Sequence, residues 1–229
     1  MKSIIDQAKV KRRARLANFA SVGGLIVLLA SVVLPLVRVE FAAFSTYIMI
    51  LGLAASMIGI YFANRWVKKP RPEESLNQAL KGLSDKYMLY HYPALPCDHV
   101  LLGPMEVVVL ETVNLEGLFS YEKGRWREAM NFGRALRYIV EEHLGDPLKS
   151  AQAAERFIKN LFCNEIPGGE AIPVKSMVVF VHPRAELKIK GAPIPVCKVD
   201  KLRRHFTGKE TRLPGELYEQ VRQLLDARI

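Results

Sequence analysis

Residues 96–111 read PCDHVLLGPMEVVVLE, two apolar runs on either side of Gly103-Pro104. A glycine-proline pair between apolar runs is typical of a tight turn between two strands. With a two-residue turn centred on Pro104-Met105, Leu102 lies opposite Val107. The stretch therefore predicts a buried β-hairpin, and this hairpin decides the rest of the fold.

The same register, continued along the hairpin, sets Val100 opposite Val109 and Asp98 opposite Glu111. Directly opposed residues share a sheet face about 5 Å apart, so two carboxylates there repel unless a proton or a cation lies between them. Hard oxygen ligands of this kind are what Mg²⁺ takes from a protein. We therefore predict a metal site at Asp98 and Glu111. The alternative is that both residues end strands in solvent, because a one-residue slip removes the pairing.

Two long uncharged stretches precede the hairpin, residues 16–37 and 41–64. Each is long enough to cross a hydrocarbon core of about 30 Å as a helix. The short link between them requires an antiparallel two-helix hairpin; the alternative is a pair of buried core helices. Small residues at helical spacing indicate close helix packing and leave a homo-oligomer through these helices open. They are Gly52, Ala55, Ser56, Gly59 and Ala63 in the second stretch, and the first offers a similar face with Ala20, Gly23, Gly24, Val27 and Ser31.

The positive charge is concentrated around these stretches. The whole chain of 229 residues carries a formal charge of +10, of which residues 1–72 carry +9 and residues 73–229 only +1. By the positive-inside rule both termini are cytoplasmic, in a cell-membrane protein with two spans. The basic flanks also attract anionic membrane lipid. The high charge is therefore no evidence for a nucleic-acid groove, and a nucleic-acid partner is not supported by the charge of residues 73–229.

Composition also limits the class of protein. Hydrophobic residues make up 50% of the chain, which excludes wholesale disorder. The cysteines number three, an odd count without a C-x-x-C spacing, which argues against a disulfide framework and against a zinc ribbon. They are Cys97, Cys163 and Cys197, and we expect reduced thiols.

The stiff basic segment KKPRP at residues 68–72 marks a domain boundary. We predict a basic cytoplasmic N-terminal arm (1–15), a transmembrane hairpin (16–64), a basic linker (65–72) and a cytoplasmic mixed α/β domain (73–229). The strands expected in that domain are residues 87–92, 98–102, 107–113, 118–121, 174–182 and 194–199. The expected helices are residues 73–83, 132–144, 147–162 with Phe157, Ile158 and Leu161 inward, and one that starts at Pro214.

The order of these motifs resembles the nuclease-related domain, NERD, a branch of the P-D-(D/E)-x-K nuclease superfamily. The resemblance covers roughly residues 73–205. Its motifs are an acidic helix at Glu73 or Glu74, the strand Asp98 to Pro104, Glu111-Thr112-Val113-Asn114 followed by Gly117, Trp126, and Asp146-Pro147-Leu148 with Gln152. It implies a restriction-endonuclease-like mixed-sheet domain, a Mg²⁺ cofactor, and a site formed by Asp98, Glu111 and Gln152.

One position departs from the family pattern. The family's lysine falls on Val113, on the same strand face as Glu111. In that chemistry the lysine positions the attacking water and stabilises charge at the phosphate, and valine does neither. Lys123 or Lys175 could take over its role, although nothing in the sequence requires either.

Three functions therefore stay open for this chain. The first is a membrane-tethered protein with a degenerate nuclease site, which acts in nucleic-acid-related binding or as a scaffold. The second is a working Mg²⁺-dependent nuclease with a relocated lysine, and the third is a purely structural membrane module.

Among the other residues, we expect His99 to be packed on the face opposite Asp98, His91 to be solvated and Trp126 to be a core anchor.

Overall fold

The computed structural model describes residues 1–129, 143–206 and 213–229. Most of the helix expected over residues 132–144 lies outside that part of the chain. The chain divides into two compact units. One unit contains Gln7–Arg71, and the other joins Met1–Asp6 to Pro72–Ala129 and Leu144–Ile229.

The first unit is a helical hairpin. Helix α1 (Gln7–Val37) and helix α2 (Ala42–Trp66) are joined by a short 3-10 turn at Val39–Phe41. Both helices are long and apolar enough to cross a membrane, with mean hydropathies of 2.5 and 1.9 in their most apolar windows. Large apolar side chains such as Phe19 and Leu36 are exposed on them. An unburied apolar surface of this kind is typical of helices that contact lipid.

The small residues of the two helices contact one another within the hairpin. A Cβ atom added to Gly24 would lie 2.5 Å from the backbone nitrogen of Ser56. One added to Gly59 would lie 2.4 Å from the backbone nitrogen of Ser21. Glycine therefore allows the two backbones to approach this closely, as the sequence pattern indicates. A homo-oligomer through the same helices stays a prediction.

We expect Gly24→Ala to destabilise the helical hairpin by about 1–3 kcal/mol, since the added methyl group must push the helices apart. Gly23→Ala is the matched control, because a Cβ atom there meets nothing within 4 Å. The Arg13 guanidinium of α1 lies 4.6 Å from the centre of the Trp66 ring of α2. Trp66 fluorescence during an SDS titration, in a Trp126→Phe background, therefore reports helix separation. Equal midpoints for the two alanine variants would contradict the packing described here.

The second unit is a mixed α/β domain with nine strands among the residues described. In chain order these are β1 (Lys2–Ile5), β2 (Met88–His91), β3 (His99–Leu102), β4 (Val107–Val113), β5 (Gly117–Glu122), β6 (Arg125–Glu128), β7 (Val174–Phe180), β8 (Ala185–Ile189) and β9 (Val196–Lys198). Its helices are α3 (Pro72–Ala79), α4 (Pro147–Glu165) and α5 (Gly215–Asp226), with 3-10 turns at Gly169–Ala171 and Val199–Phe206. The expected mixed α/β fold is confirmed.

The strands form two sheets. The larger has the order β1-β2-β3-β4-β7-β9, and the smaller has the order β6-β5-β8. Strand β3 is antiparallel to both β2 and β4, whereas β7 runs parallel to β4 and β9. Strand β4 therefore lies in the middle of the larger sheet and is paired along its whole length with β7.

The two faces of the larger sheet are covered by different helices. Helices α4 and α5 cover the face that carries Val100 and Val109, whereas α3 and the 3-10 turn Val199–Phe206 cover the face that carries Leu101 and Val108.

Helix α4 begins as predicted, since the Asp146 side chain accepts a hydrogen bond from the Lys149 backbone at 3.2 Å. The prediction that Phe157 points inward is wrong: it is 46% exposed, and the buried side of α4 passes through Ile158 and Phe162 instead.

Strand β1 is not expected from the sequence. It pairs in parallel with β2, with Lys2 opposite Met88, and Ile4 packs against the core beneath α4 and α5. The four residues KSII carry no strand signal of their own, because the partner that stabilises them lies far along the chain. The domain is thus assembled from chain segments on both sides of the helical hairpin, and residues 73–229 alone lack one of its edge strands.

Strands β6 and β8 are also missing from the sequence prediction, because both are short and rich in charged residues. Each finds its place by pairing with β5, which the sequence does predict. The inner face of this smaller sheet carries Phe119, Tyr121 and Trp126, which pack against Phe180 of β7. The prediction that Trp126 anchors the core is confirmed.

Strand β1 generates a test of the discontinuous domain. The backbone N–H of Lys2 donates to the Tyr87 carbonyl at 2.9 Å. Along an edge strand in a parallel pair, every second residue directs its N–H to the partner strand, so Ile4 is the next donor. We expect Ile4→Pro to destabilise the domain by about 1–3 kcal/mol through the lost ladder bond. Ser3→Pro, whose N–H points away from β2, is the control, and Ile4→Ala measures the packing loss alone. The measurement is urea unfolding of the full chain in detergent, followed by Trp126 fluorescence in a Trp66→Phe background. Equal losses for the two proline variants would contradict the ladder bond assigned to Ile4.

Candidate functional site

The predicted register of the β3–β4 hairpin is confirmed. Val100 lies opposite Val109, and Leu102 lies opposite Val107. The paired ladder ends at Val100 and Val109, and Asp98 immediately precedes β3. Glu111 lies within β4, paired with Val178 of β7. Asp98 and Glu111 thus lie at the same end of the hairpin, and their direct pairing stays a prediction.

The electrostatics of Cys97 indicate that both carboxylates lie close to it. Burial first, and then the charges of Asp98 and Glu111, raise the pKa of the Cys97 thiol to about 12. Negative charge near a thiol disfavours the thiolate, and this effect falls with distance. Both carboxylates are half-buried. The hairpin end therefore holds two acidic side chains and an unreactive thiol.

Gln152, the third residue implied by the resemblance, is half-buried in the first half of α4. One turn further along, Glu155 accepts hydrogen bonds from Ser176 Oγ and Lys159 Nζ, both at 2.6 Å. Ser176 is buried on β7 opposite Val109, so this part of α4 lies over the sheet face that carries Glu111. Glu155 and Ser176 are not identified from the sequence. The only sequence signal is that Glu155 follows Gln152 at helical spacing.

Val113 lies in an apolar environment. Its side chain is 8% exposed and belongs to a buried cluster with Leu148 and Ala151 of α4 and Phe180 of β7. Because side chains alternate along a strand, Val113 shares its face with Glu111. The sheet face that carries Glu111 is therefore apolar at Val113.

The two lysines considered as replacements occupy other places. Lys175 pairs with Val108 in the sheet register, so it points to the opposite face from Glu111, and its Nζ atom contacts Glu106 at 2.6 Å. Lys123 lies in the exposed turn between β5 and β6 of the smaller sheet. Neither lysine is therefore brought to the carboxylates by the fold.

The carboxylate pair fits a divalent cation in the type of its donors. Mg²⁺ commonly binds through one or two carboxylates and keeps several waters, so Asp98 and Glu111 are sufficient in kind. Within the described ranges, no group of three or more His, Cys, Asp or Glu residues is placed to hold a metal ion. Any cation here would rely on water or a ligand for most of its coordination.

A buried polar cluster lies near this end of the sheet, on the face opposite to Glu111. The Nδ1 atoms of His91 and His99 are 2.8 Å apart, and Nε2 of His91 lies 3.2 Å from Oδ1 of Asn77. Tyr92 donates its hydroxyl to Glu73 at 2.8 Å. The packed position of His99 is confirmed, whereas the solvated position expected for His91 is wrong. His91 is fully buried because β3 and α3 enclose it, a tertiary contact with no signal in the sequence.

The buried histidine generates a pH prediction. Burial first, and then the neighbouring His99, lower the pKa of His91 to about 2 from the ordinary value of 6.5. The unfolded chain therefore takes up this proton first, so stability is lost as the pH falls from about 6.5 towards 2. Between pH 7.5 and pH 5.5 this one group costs the wild type about 1.4 kcal/mol of unfolding free energy. We expect His91→Gln, which keeps an amide for Asn77, to lose less between the two pH values. Urea unfolding at both pH values measures this difference, and an equal loss in the two proteins would refute the assignment.

Comparison with known proteins identifies a matching family. The family model of NERD, the nuclease-related domain, matches residues 69–181. The matched range includes Asp98, Glu111, Val113 and Gln152, and it ends one residue after β7. No curated protein and no solved structure matches the chain.

Proposed function

This chain carries a NERD nuclease-related domain at residues 69–181, and we propose that it is a membrane-tethered nucleic-acid-binding protein with a degenerate nuclease site. The family match supports a nuclease-related function. The finer statement rests on how the residues around Glu111 are arranged.

The observation that carries this proposal is the environment of Val113. A nuclease of this superfamily needs a cation beside its carboxylates, and here that place is part of an apolar cluster with Leu148 and Phe180. Lys175 is directed to the other sheet face and is paired with Glu106. Without a lysine, the group that would position the attacking water and stabilise the phosphate charge is absent.

The carboxylates retain a role in this proposal. Asp98 and Glu111 would hold a Mg²⁺ ion, which supplies positive charge to phosphate oxygens when bound. Gln152 of α4 would orient a phosphate or a water on the same side of the sheet. Binding of a metal and of nucleic acid can therefore persist in a site that does not cleave.

The chain topology supports the proposed membrane orientation. Strand β1 precedes α1 and pairs with β2, which follows α2, so both ends of the helical hairpin connect to one sheet. Two strands of one sheet cannot be separated by a bilayer, and both ends of the hairpin therefore lie on one side. The basic flanks assign that side to the cytoplasm. We propose a two-span protein of the cell membrane with both termini cytoplasmic, in contact with anionic lipid through these flanks.

The test is an assay of the full chain in neutral detergent with single- and double-stranded DNA and RNA, in Mg²⁺ or Mn²⁺. We expect binding without cleavage, and loss of Mn²⁺ affinity in an Asp98→Asn/Glu111→Gln variant. The matched control, Glu170→Gln/Glu216→Gln, removes two exposed carboxylates elsewhere in the domain and should bind Mn²⁺ like the wild type.

The two other hypotheses predict different outcomes in the same assay. Cleavage by the wild type and the control, but not by Asp98→Asn/Glu111→Gln, would show an active nuclease with a relocated cationic group. Absence of both nucleic-acid binding and Mn²⁺ binding in a folded protein would leave the purely structural membrane module. Either result would overturn the proposal.

A further inference from the structure

The smaller sheet has one buried face and one exposed face. Side chains alternate along each strand, and the three aromatic side chains of this sheet, Phe119, Tyr121 and Trp126, all lie on the buried face. The exposed face carries the alternate residues of β5, β6 and β8. They are Leu118, Ser120 and Glu122 of β5, Arg125 and Arg127 of β6, and Glu186 and Lys188 of β8.

Cations form a row across this exposed face. Ser120 pairs with Arg127 on one side and with Lys188 on the other, so the three side chains form a line across the sheet. With neighbouring strands about 4.8 Å apart, the two cationic residues are separated by about 10 Å. No acidic side chain interrupts this row.

The adjacent row is also cationic on balance. Glu122 lies opposite Arg125 and contacts Lys190 Nζ at 3.6 Å, so one acid is flanked by two cations. Lys123, in the turn beside it, adds another exposed cation. Positive charge is thus concentrated on this sheet, although residues 73–229 carry only +1 in total.

Arg127 and Lys188 differ in their pairing from several other cations of the domain. Elsewhere, Lys175 is paired with Glu106, and Arg184 with Glu116. Arg127 and Lys188 are exposed, and no ion pair is formed by either within the described residues. An unpaired cation at the surface can be offered to an external anion without first breaking an ion pair.

We propose that this exposed face, defined by Ser120, Arg127, Lys188, Arg125 and Lys123, binds the phosphate backbone of a nucleic acid. The inference deepens the proposed function, on which it rests, by naming the surface that contacts the polymer. Arginine forks and lysine ammonium groups are the side chains that bind backbone phosphates.

A nucleic acid fits this face better than a lipid surface does. A linear polyanion can follow the row through Ser120 and avoid Glu122 and Glu186, whereas a flat anionic membrane would meet both acids. Membrane-binding surfaces also present aromatic or large apolar anchors, and here the aromatic side chains point inward. For the same reason the face offers no platform for base stacking, so binding should be independent of sequence and sensitive to salt.

The test measures affinity of the full chain in neutral nanodiscs for fluorescent duplex DNA, by anisotropy over a series of salt concentrations. We expect Arg127→Glu/Lys188→Glu to weaken binding at least tenfold at low salt. The neutral pair Arg127→Gln/Lys188→Gln should reduce the salt slope by about 2, since each lost phosphate contact removes about 0.9. Glu122→Gln should tighten binding, because it removes the acid between Arg125 and Lys190. Lys86→Glu/Lys201→Glu, with the same charge change at exposed positions on other elements, is the matched control and should bind like the wild type.

The outcomes separate this inference from the proposed function. If the wild type binds DNA and Arg127→Glu/Lys188→Glu binds it equally well, the assigned surface is overturned. The same holds if the control variant weakens binding as much as Arg127→Glu/Lys188→Glu does. In both cases the proposed function stands. No binding of duplex DNA by the wild type at low salt would overturn this inference, and the proposed function would fall with it if single-stranded DNA and RNA are not bound either. Unchanged DNA affinity together with weaker association of the variant with added anionic vesicles would assign the face to lipid headgroups instead and overturn the inference.

Discussion

Strand β4 is held between an antiparallel neighbour, β3, and a parallel neighbour, β7, and its register decides which face every candidate residue occupies. Glu111 and Val113 lie on the face covered by α4, together with Ser176. Lys175, one residue from Ser176, lies on the other face. A shift of one residue would exchange these positions, and the tight turn between β3 and β4, closed by the Gly103 N–H donating to the Glu106 carbonyl at 2.9 Å, prevents it, because the turn fixes the register of a hairpin.

The distribution of charge argues against using the net charge of a domain as a guide to its partners. Residues 73–229 are nearly neutral, yet their acidic and basic groups are not mixed evenly. Many cations are neutralised by ion pairs, such as Lys159 with Glu155 and Arg228 with Glu165. The smaller sheet retains exposed cations, because β6 and β8 supply them from opposite sides of β5. A local surface of this kind is what an external polyanion meets.

The connection between the helical hairpin and the domain is more extensive than a linker. Strand β1 before the hairpin and α3 after it both belong to the domain, so two chain segments join it to the hairpin. The N-terminal residues have a structural role in the sheet in addition to any attraction of the basic flanks to lipid. The stability of the isolated residues 73–229 is therefore a poor guide to that of the whole protein.

The sequence by itself determined the apolar helices, the β3–β4 register, the start of α4 at Asp146 and the family resemblance, because each depends on residues close together in the chain. Periodicity, turn chemistry and capping act over a few residues and can be read directly. It left strands β1, β6 and β8, the burial of His91 and the environment of Val113 undetermined. Those features were decided by the tertiary structure alone. Each depends on partners that are distant in sequence, and their pairing and burial are favourable only once the sheet that provides them has formed.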